Sequence, residues 1–151
     1  MRISGMRRMT AAAAVALTAA STGLAGMQVA QASPTWVRSR VVLVNCQGRA
    51  TVRPRTFVLA CADADDYLRG LHWQRWKPYA YGWGVERINS CVPNCASGKF
   101  HSYRVWVTLW RLRARPHHPR QWYYTRMTLH YTHRVPRGYH RYRVIALWAN
   151  L

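Results

Sequence analysis

The densest cluster of chemically capable side chains is Arg113, Arg115, His117, His118 and Arg120, interleaved with Pro116 and Pro119. Guanidinium groups present paired N–H donors that match carboxylate or phosphate oxygens. This stretch is therefore the first candidate for anion recognition; its plain alternative is a solvated basic loop. Cations also recur two residues apart, at Arg38/Arg40, Arg53/Arg55, Arg75/Lys77, Arg111/Arg113, Arg113/Arg115 and Arg141/Arg143. On a strand that spacing puts both charges on one face. Tyr and Trp between them would offer stacking surfaces, unless the arginines simply lie over those rings in solvent. The candidate anion-binding residues are Arg111, Arg113, Arg115, His117, His118, Arg120, Arg141 and Arg143.

Other constellations point less far. Asp63, Asp65 and Asp66 are three of the four acids. They lack the remaining ligands of a calcium loop, so helix capping and internal pairing with arginine are expected of them. Glu86 with His101, His130 or His140 could cleave phosphodiesters by acid–base chemistry, with Lys99 or an arginine taking up the charge. The chain contains no Gly-x-Ser-x-Gly, His-Glu-x-x-His or phosphate loop. We therefore assign no catalytic residue, no metal and no cofactor.

Cys46, Cys61, Cys91 and Cys95 allow three pairings. Cys46–Cys61 is favoured because each cysteine ends an apolar strand, and Cys91–Cys95 then closes a small Cys-Val-Pro-Asn-Cys ring. A zinc site with His101 is the alternative, but an exported chain with an even cysteine count is expected to form disulfides. The larger loop should stabilise the fold by about 3 kcal/mol in the chain-entropy model. The smaller one should fix the shape of loop 89–98.

Export is read from the first 32 residues. Arg2, Arg7 and Arg8 precede an alanine-rich apolar stretch over 10–24, and Ala30-Gln31-Ala32 is a small-x-small cleavage site. We expect a signal peptide over 1–32 and one secreted domain over 33–151, extracellular or wall-associated. Arg7-Arg8 fits a twin-arginine signal poorly, so ordinary secretion is favoured. Met27 stands where a lipoprotein would carry cysteine, and the apolar stretch is too short and alanine-rich to span a bilayer.

With 23 Lys+Arg against 4 Asp+Glu, the chain carries a net charge of +19. That imbalance favours anionic partners such as wall polymers, nucleic acid or lipid headgroups. All eight Trp and nine Tyr follow the leader, against two Phe. So many rings exclude general disorder and suit core edges and binding faces. The length supports a single core, and a monomer is expected.

These residues must be positioned mainly by strands. Residues 40–46 and 56–61 are β-branched runs joined by an irregular link. Residues 63–71 form the one plausible helix, with Ala64, Leu68 and Leu71 on one side. Residues 71–76 and 79–88 read as strands broken at Pro78, and Gly82 and Gly84 mark a bulge or close packing. Residues 89–98 are a tight loop, followed by long strands over 101–112, 121–132 and 139–148. In the first of these, Tyr103, Val105, Val107 and Leu109 share one face and Trp106, Thr108 and Trp110 the other.

Across residues 42–111 the chain resembles a family of small secreted actinobacterial proteins with no established activity. The matching residues are Asn45-Cys46, Leu59-Ala60-Cys61-Ala62-Asp63, Tyr67-Leu68, Leu71-x-Trp73-x-x-Trp76, Ala80-x-Gly82-x-Gly84, Asn89-x-Cys91-x-Pro93-x-Cys95-x-x-Gly98 and Tyr103-x-Val105-x-Val107-x-Leu109. The resemblance implies a secreted, disulfide-bonded β domain and brings no catalytic residue. A fainter likeness is to small subtilisin-inhibitor proteins. They too have a cysteine pair enclosing fourteen residues before a short helix, as Cys46 and Cys61 do here. In them a cysteine also precedes the inhibitory loop, where Cys91 would stand.

The sequence thus predicts a mainly β, single antiparallel sandwich-like domain with one short helix and two disulfides. The expected function is a noncatalytic secreted module that binds anionic extracellular polymer or cell wall through an Arg/aromatic surface. The alternatives are a protease inhibitor using the Asn89 to Gly98 loop and a nuclease-type hydrolase.

Overall fold

The computed structural model describes residues 38–147, so the expected signal segment and Trp148 lie outside the described residues. The strands are β1 (Arg40–Val44), β2 (Ala50–Thr51), β3 (Thr56–Val58), β4 (Asp66–Arg75), β5 (Ala80–Asn89), β6 (Phe100–Ala114), β7 (Gln121–Tyr131) and β8 (Tyr142–Ala146). Their β-branched and aromatic residues fit a pleated, half-buried backbone. They form one sheet in the order β2-β1-β7-β6-β5-β4-β3. Strand β7 carries β1 along residues 121–123 and β8 along residues 126–130. The sheet is not wholly antiparallel as expected, because β1 runs parallel to β7. No helix in the described residues is long and apolar enough to cross a membrane.

The curled sheet packs on itself in the manner of a sandwich. Val105, Val107 and Leu109 of β6 and Met127, Leu129 and Tyr131 of β7 meet Val41 and Leu43 of β1, Phe57 of β3 and Leu68 and Leu71 of β4. Two indoles fasten the β4 side, Trp76 across the core to β1 and Trp73 to the link before β3. Trp76 Nε1 donates to the Val41 carbonyl at 2.8 Å, and Trp73 Nε1 donates to the Pro54 carbonyl at 2.9 Å. The Tyr124 hydroxyl donates to the Trp76 carbonyl inside the core. Strand β1 is buried on both faces, with Val42 and Val44 against Tyr123, which is why its run lacks alternation. Both disulfides form as expected, Cys46–Cys61 and Cys91–Cys95.

The helix expected over 63–71 is replaced by a turn and the first half of β4. Its i, i+3 apolar spacing has a different origin. The β4–β5 register slips between Arg69 and His72 and again between Trp73 and Arg75. Each bulge adds a residue, so Leu68, Leu71, Trp73 and Trp76 all turn toward the core although two of the steps are three residues long. Gly70, at φ +60°, supplies the left-handed backbone for the first bulge. Gly82 lets β5 pass close to β4: a Cβ there would lie 2.2 Å from the His72 carbonyl oxygen. The close packing anticipated at this glycine is present.

Candidate functional site

Alternation along β5 and β6 decides what the outer face of the sheet shows. Ala80, Gly82, Gly84 and Glu86 are buried, so Tyr81, Trp83, Val85 and Arg87 point outward. Val105, Val107 and Leu109 are buried, so Trp106, Thr108 and Trp110 point outward. The register then aligns rings from five strands. His72 lies opposite Trp83, Trp83 opposite Trp106, Trp106 opposite His130 and His130 opposite Tyr142.

The rings of this row interact. His72 stacks on Trp83 at 5.5 Å, Trp83 meets Trp106 edge-on at 5.6 Å, and His130 stacks on Tyr142 at 4.4 Å. Tyr81 from the next row stacks on Trp106 at 5.1 Å. Trp83 is 40% exposed and Tyr142 62%. An open cleft of about 630 Å³ lies over the β4 to β6 part of the row, lined by His72, Gln74, Trp83 and Trp106 together with Arg104 and His133. The outward positions of β4 to β8 carry no carboxylate; Asp66 and Glu86, the two acids on these strands, are both buried. Sequence reasoning placed Trp106 on one face with Thr108 and Trp110 but missed the row, because cross-strand register joins it.

Behind that face, Arg143 of β8 crosses the interior to β4 and β5. Its Nη1 donates to Asp66 Oδ2 at 2.9 Å and to Glu86 Oε1 at 2.8 Å. Burial works against the Arg143 charge, but its hydrogen bond and attraction to Asp66 hold it firmly protonated. Two carboxylates share one guanidinium, so with both ionised the group would carry one negative charge in excess. Burial first, and the Asp66 charge second, push Glu86 up to about 7, with Arg143 offsetting part of the rise. The Tyr131 hydroxyl faces the same group without a formed hydrogen bond, and burial pushes its pKa well above the ordinary phenol value.

The eight predicted anion-binding residues separate. Arg111 and Arg113 stand exposed at the end of β6. Arg115 is a fastener: Nη1 donates to Gln121 Oε1 at 2.9 Å and Nη2 to the Gly48 carbonyl at 2.7 Å. His117, His118 and Arg120 are exposed in the β6–β7 turn. Arg141 Nη1 donates to the Tyr131 carbonyl at 3.0 Å. Arg143 does not belong to an open cationic surface, for the reason just given. Sequence reasoning missed Arg104 and Arg126. Arg126 lies opposite Trp110 and Arg104 opposite Val85, places that only the register assigns.

The other constellations resolve in the same way. Glu86 faces inward while His130, one of its three candidate partners, stands on the outer face, so the sheet separates those two groups. Asp66 pairs with arginine as expected, but Asp63 caps a turn by accepting from the Asp65 N–H at 3.2 Å. The Cys91 and Cys95 sulfurs lie near Asp65 but are bonded to each other, which leaves no thiolate for zinc. Loop 89–98 is organised by Asn89. Its Nδ2 donates to Asp65 Oδ1 and to the Cys95 carbonyl, each at 2.7 Å, and its Oδ1 accepts from the Cys91 N–H at 3.1 Å.

No protein family, curated protein or solved structure matches this chain.

Proposed function

We propose that this chain is a secreted, noncatalytic module that binds an anionic extracellular polymer, foremost that of a cell wall, through the outer face of β4 to β8. The supporting observation is the exposed ring row from His72 to Tyr142, set among cations and free of outward carboxylates. Exposed aromatic strips of this extent mark interaction sites. Flat rings offer stacking surfaces to sugars or bases, and the surrounding charge attracts a polyanion. Secretion rests on the leader-like first 32 residues and agrees with two disulfides in so small a domain.

Replacing Trp83 and Trp106 together by alanine is expected to lower affinity for isolated cell walls about tenfold or more, the scale of one or two lost stacking contacts. The comparison is made in high salt, where nonspecific charge attraction has faded. DNA binding, measured in parallel, should disappear first as salt rises. Unchanged wall affinity in the double variant would remove the ring row from the site. Equal salt sensitivity for walls and DNA would reduce the charge to a nonspecific attractor.

A second reading rests on the 91–95 ring. Val92 is 71% exposed on a loop held from beneath by Asn89, as an inhibitory loop presented to a protease would be. Stoichiometric protease inhibition, insensitive to salt and lost on opening the ring, is the result that would favour it.

A further inference from the structure

The sequence Arg-Leu-Arg over residues 111–113 continues a strand whose odd-numbered residues face the core. Regular alternation would drive Arg111 and Arg113 inward behind Leu109. A paired kink prevents this. Arg111 adopts φ +59°, a left-handed backbone that bulky residues rarely hold. Across from it, Thr125, 7% exposed, donates its hydroxyl to the Arg111 carbonyl at 2.9 Å. Both strands change phase here: inward residues pass from Leu109 to Leu112 on β6, and from Met127 back to Tyr124 on β7. The kink thus turns Arg111 and Arg113 outward, onto the face that carries Arg126.

These three arginines line one open cleft of about 360 Å³, together with Tyr123, Thr125 and Leu147. Arg126 is anchored there by a bond from Nη1 to the Thr125 carbonyl at 2.9 Å, which leaves its remaining N–H donors for other partners. Both acids of the strands are engaged by Arg143 on the inner side, and Asp65 is held at the distant Asn89 loop. Three cations therefore converge with no acid of the described strands to balance them, on a segment of strained backbone. Backbone strain beside converging like charges is a pointer to a ligand.

We propose that this cleft is a subsite for a single phosphoryl group of the bound polymer; the inference rests on the polymer-binding reading of the same face and names the anion it selects. A carboxylate has two coplanar oxygens, which one guanidinium fork already satisfies. A phosphoryl group projects its oxygens tetrahedrally and can receive forks from several directions. The cleft volume exceeds a bare phosphate and leaves room for the sugar or polyol that carries it. It lies along β6 from the ring row, roughly 20 Å from Trp106 at the usual rise per residue. One extended chain could lay rings on the aromatic row and a phosphodiester in the cleft. The polymer favoured is a phosphodiester-linked wall glycan or polyol; DNA offers the same group and is a test arm.

The test follows the Arg Nε–H resonances by NMR while inorganic phosphate, and separately acetate, is titrated into the purified protein at constant ionic strength. Saturable shifts of Arg111, Arg113 and Arg126 with phosphate, absent with acetate, are expected. They should vanish in an R111Q/R113Q variant whose β-sheet spectrum is otherwise retained. The same variant should bind phosphate-bearing walls about tenfold or more weakly, as expected when charged hydrogen bonds are lost. Walls stripped of phosphodiesters should bind the variant and the unaltered protein alike. Equal shifts with acetate, no saturation, or shifts that survive in R111Q/R113Q would overturn the subsite, and an R126Q variant with an unchanged phosphate response would as well. Binding of DNA in preference to phosphate-bearing walls, with the arginine shifts intact, would overturn the wall polymer as its source. Failure of the unaltered protein to bind any wall, with the phosphate shifts intact, would refute the polymer-binding reading and leave the phosphate site standing.

Discussion

Replacing Arg143 by methionine is expected to lower stability at neutral pH by about 3–5 kcal/mol, the loss typical of breaking a buried ion pair from one side. The substitution keeps an apolar stem of similar length but strands Asp66 and Glu86, of which Glu86 is 0% exposed. Acid should repair the variant, because protonating both carboxylates removes the charges that Arg143 balanced. The unaltered protein has a weaker dependence of the same sign. Glu86 is raised from 4.5 to about 7 on folding, so the native state holds the proton more tightly than the unfolded chain. The stability from that proton is complete below pH 4.5 and is lost as the pH rises through about 7, a change on the order of 3 kcal/mol. Denaturant titrations at pH 5 and pH 8 measure this, and Glu86→Gln should flatten the difference. If the unaltered protein and Glu86→Gln respond identically to pH, Glu86 is ionised throughout and the excess negative charge is balanced elsewhere.

The same cluster shows where sequence legibility stopped. Arg141 and Arg143 two residues apart were read as one outward face. Strand β8 begins only at Tyr142, and it does alternate, with Arg143 and Ile145 inward and Tyr142 and Val144 outward. Alternation says which residues share a face but not which face meets the core, and here β8 packs its arginine against β4 and β5. The strands 101–112 and 121–132 were legible because their apolar residues repeat at period two. Cys46–Cys61 was legible from the apolar strand ends that carry its cysteines, and Cys91–Cys95 followed as the remaining pair. Strand β4 was not, because two bulges impose three-residue steps on its core positions, and three-residue spacing is also the signature of a helix. The parallel contact of β1 with β7 joins residues about eighty apart in the chain, so no local pattern announces it. The ring row and the arginine cleft are both products of register. Each of their residues is visible in the sequence, and the alignment that assembles them is not.

Opening Cys46–Cys61 by a double serine substitution is expected to cost about 3 kcal/mol, the chain-entropy estimate for a loop of this length. The bridge spans 15 residues and joins the end of β1 to the segment after β3, at opposite ends of the sheet order. Beneath it Val41, Leu43 and Phe57 share the core, so loosening the bridge also exposes apolar surface where the curled sheet meets itself. Cys91–Cys95 provides a control. It spans 4 residues, and Asn89 already fixes the same loop through its bonds to Asp65 and Cys95. Its removal should cost clearly less and leave the near-ultraviolet signal of the core tryptophans unchanged. Denaturation midpoints of the two double variants decide the matter. Equal losses would mean that the Cys46–Cys61 bridge adds nothing beyond local loop closure, and that the core contacts and the Trp76 bond to β1 hold the sheet closed without it.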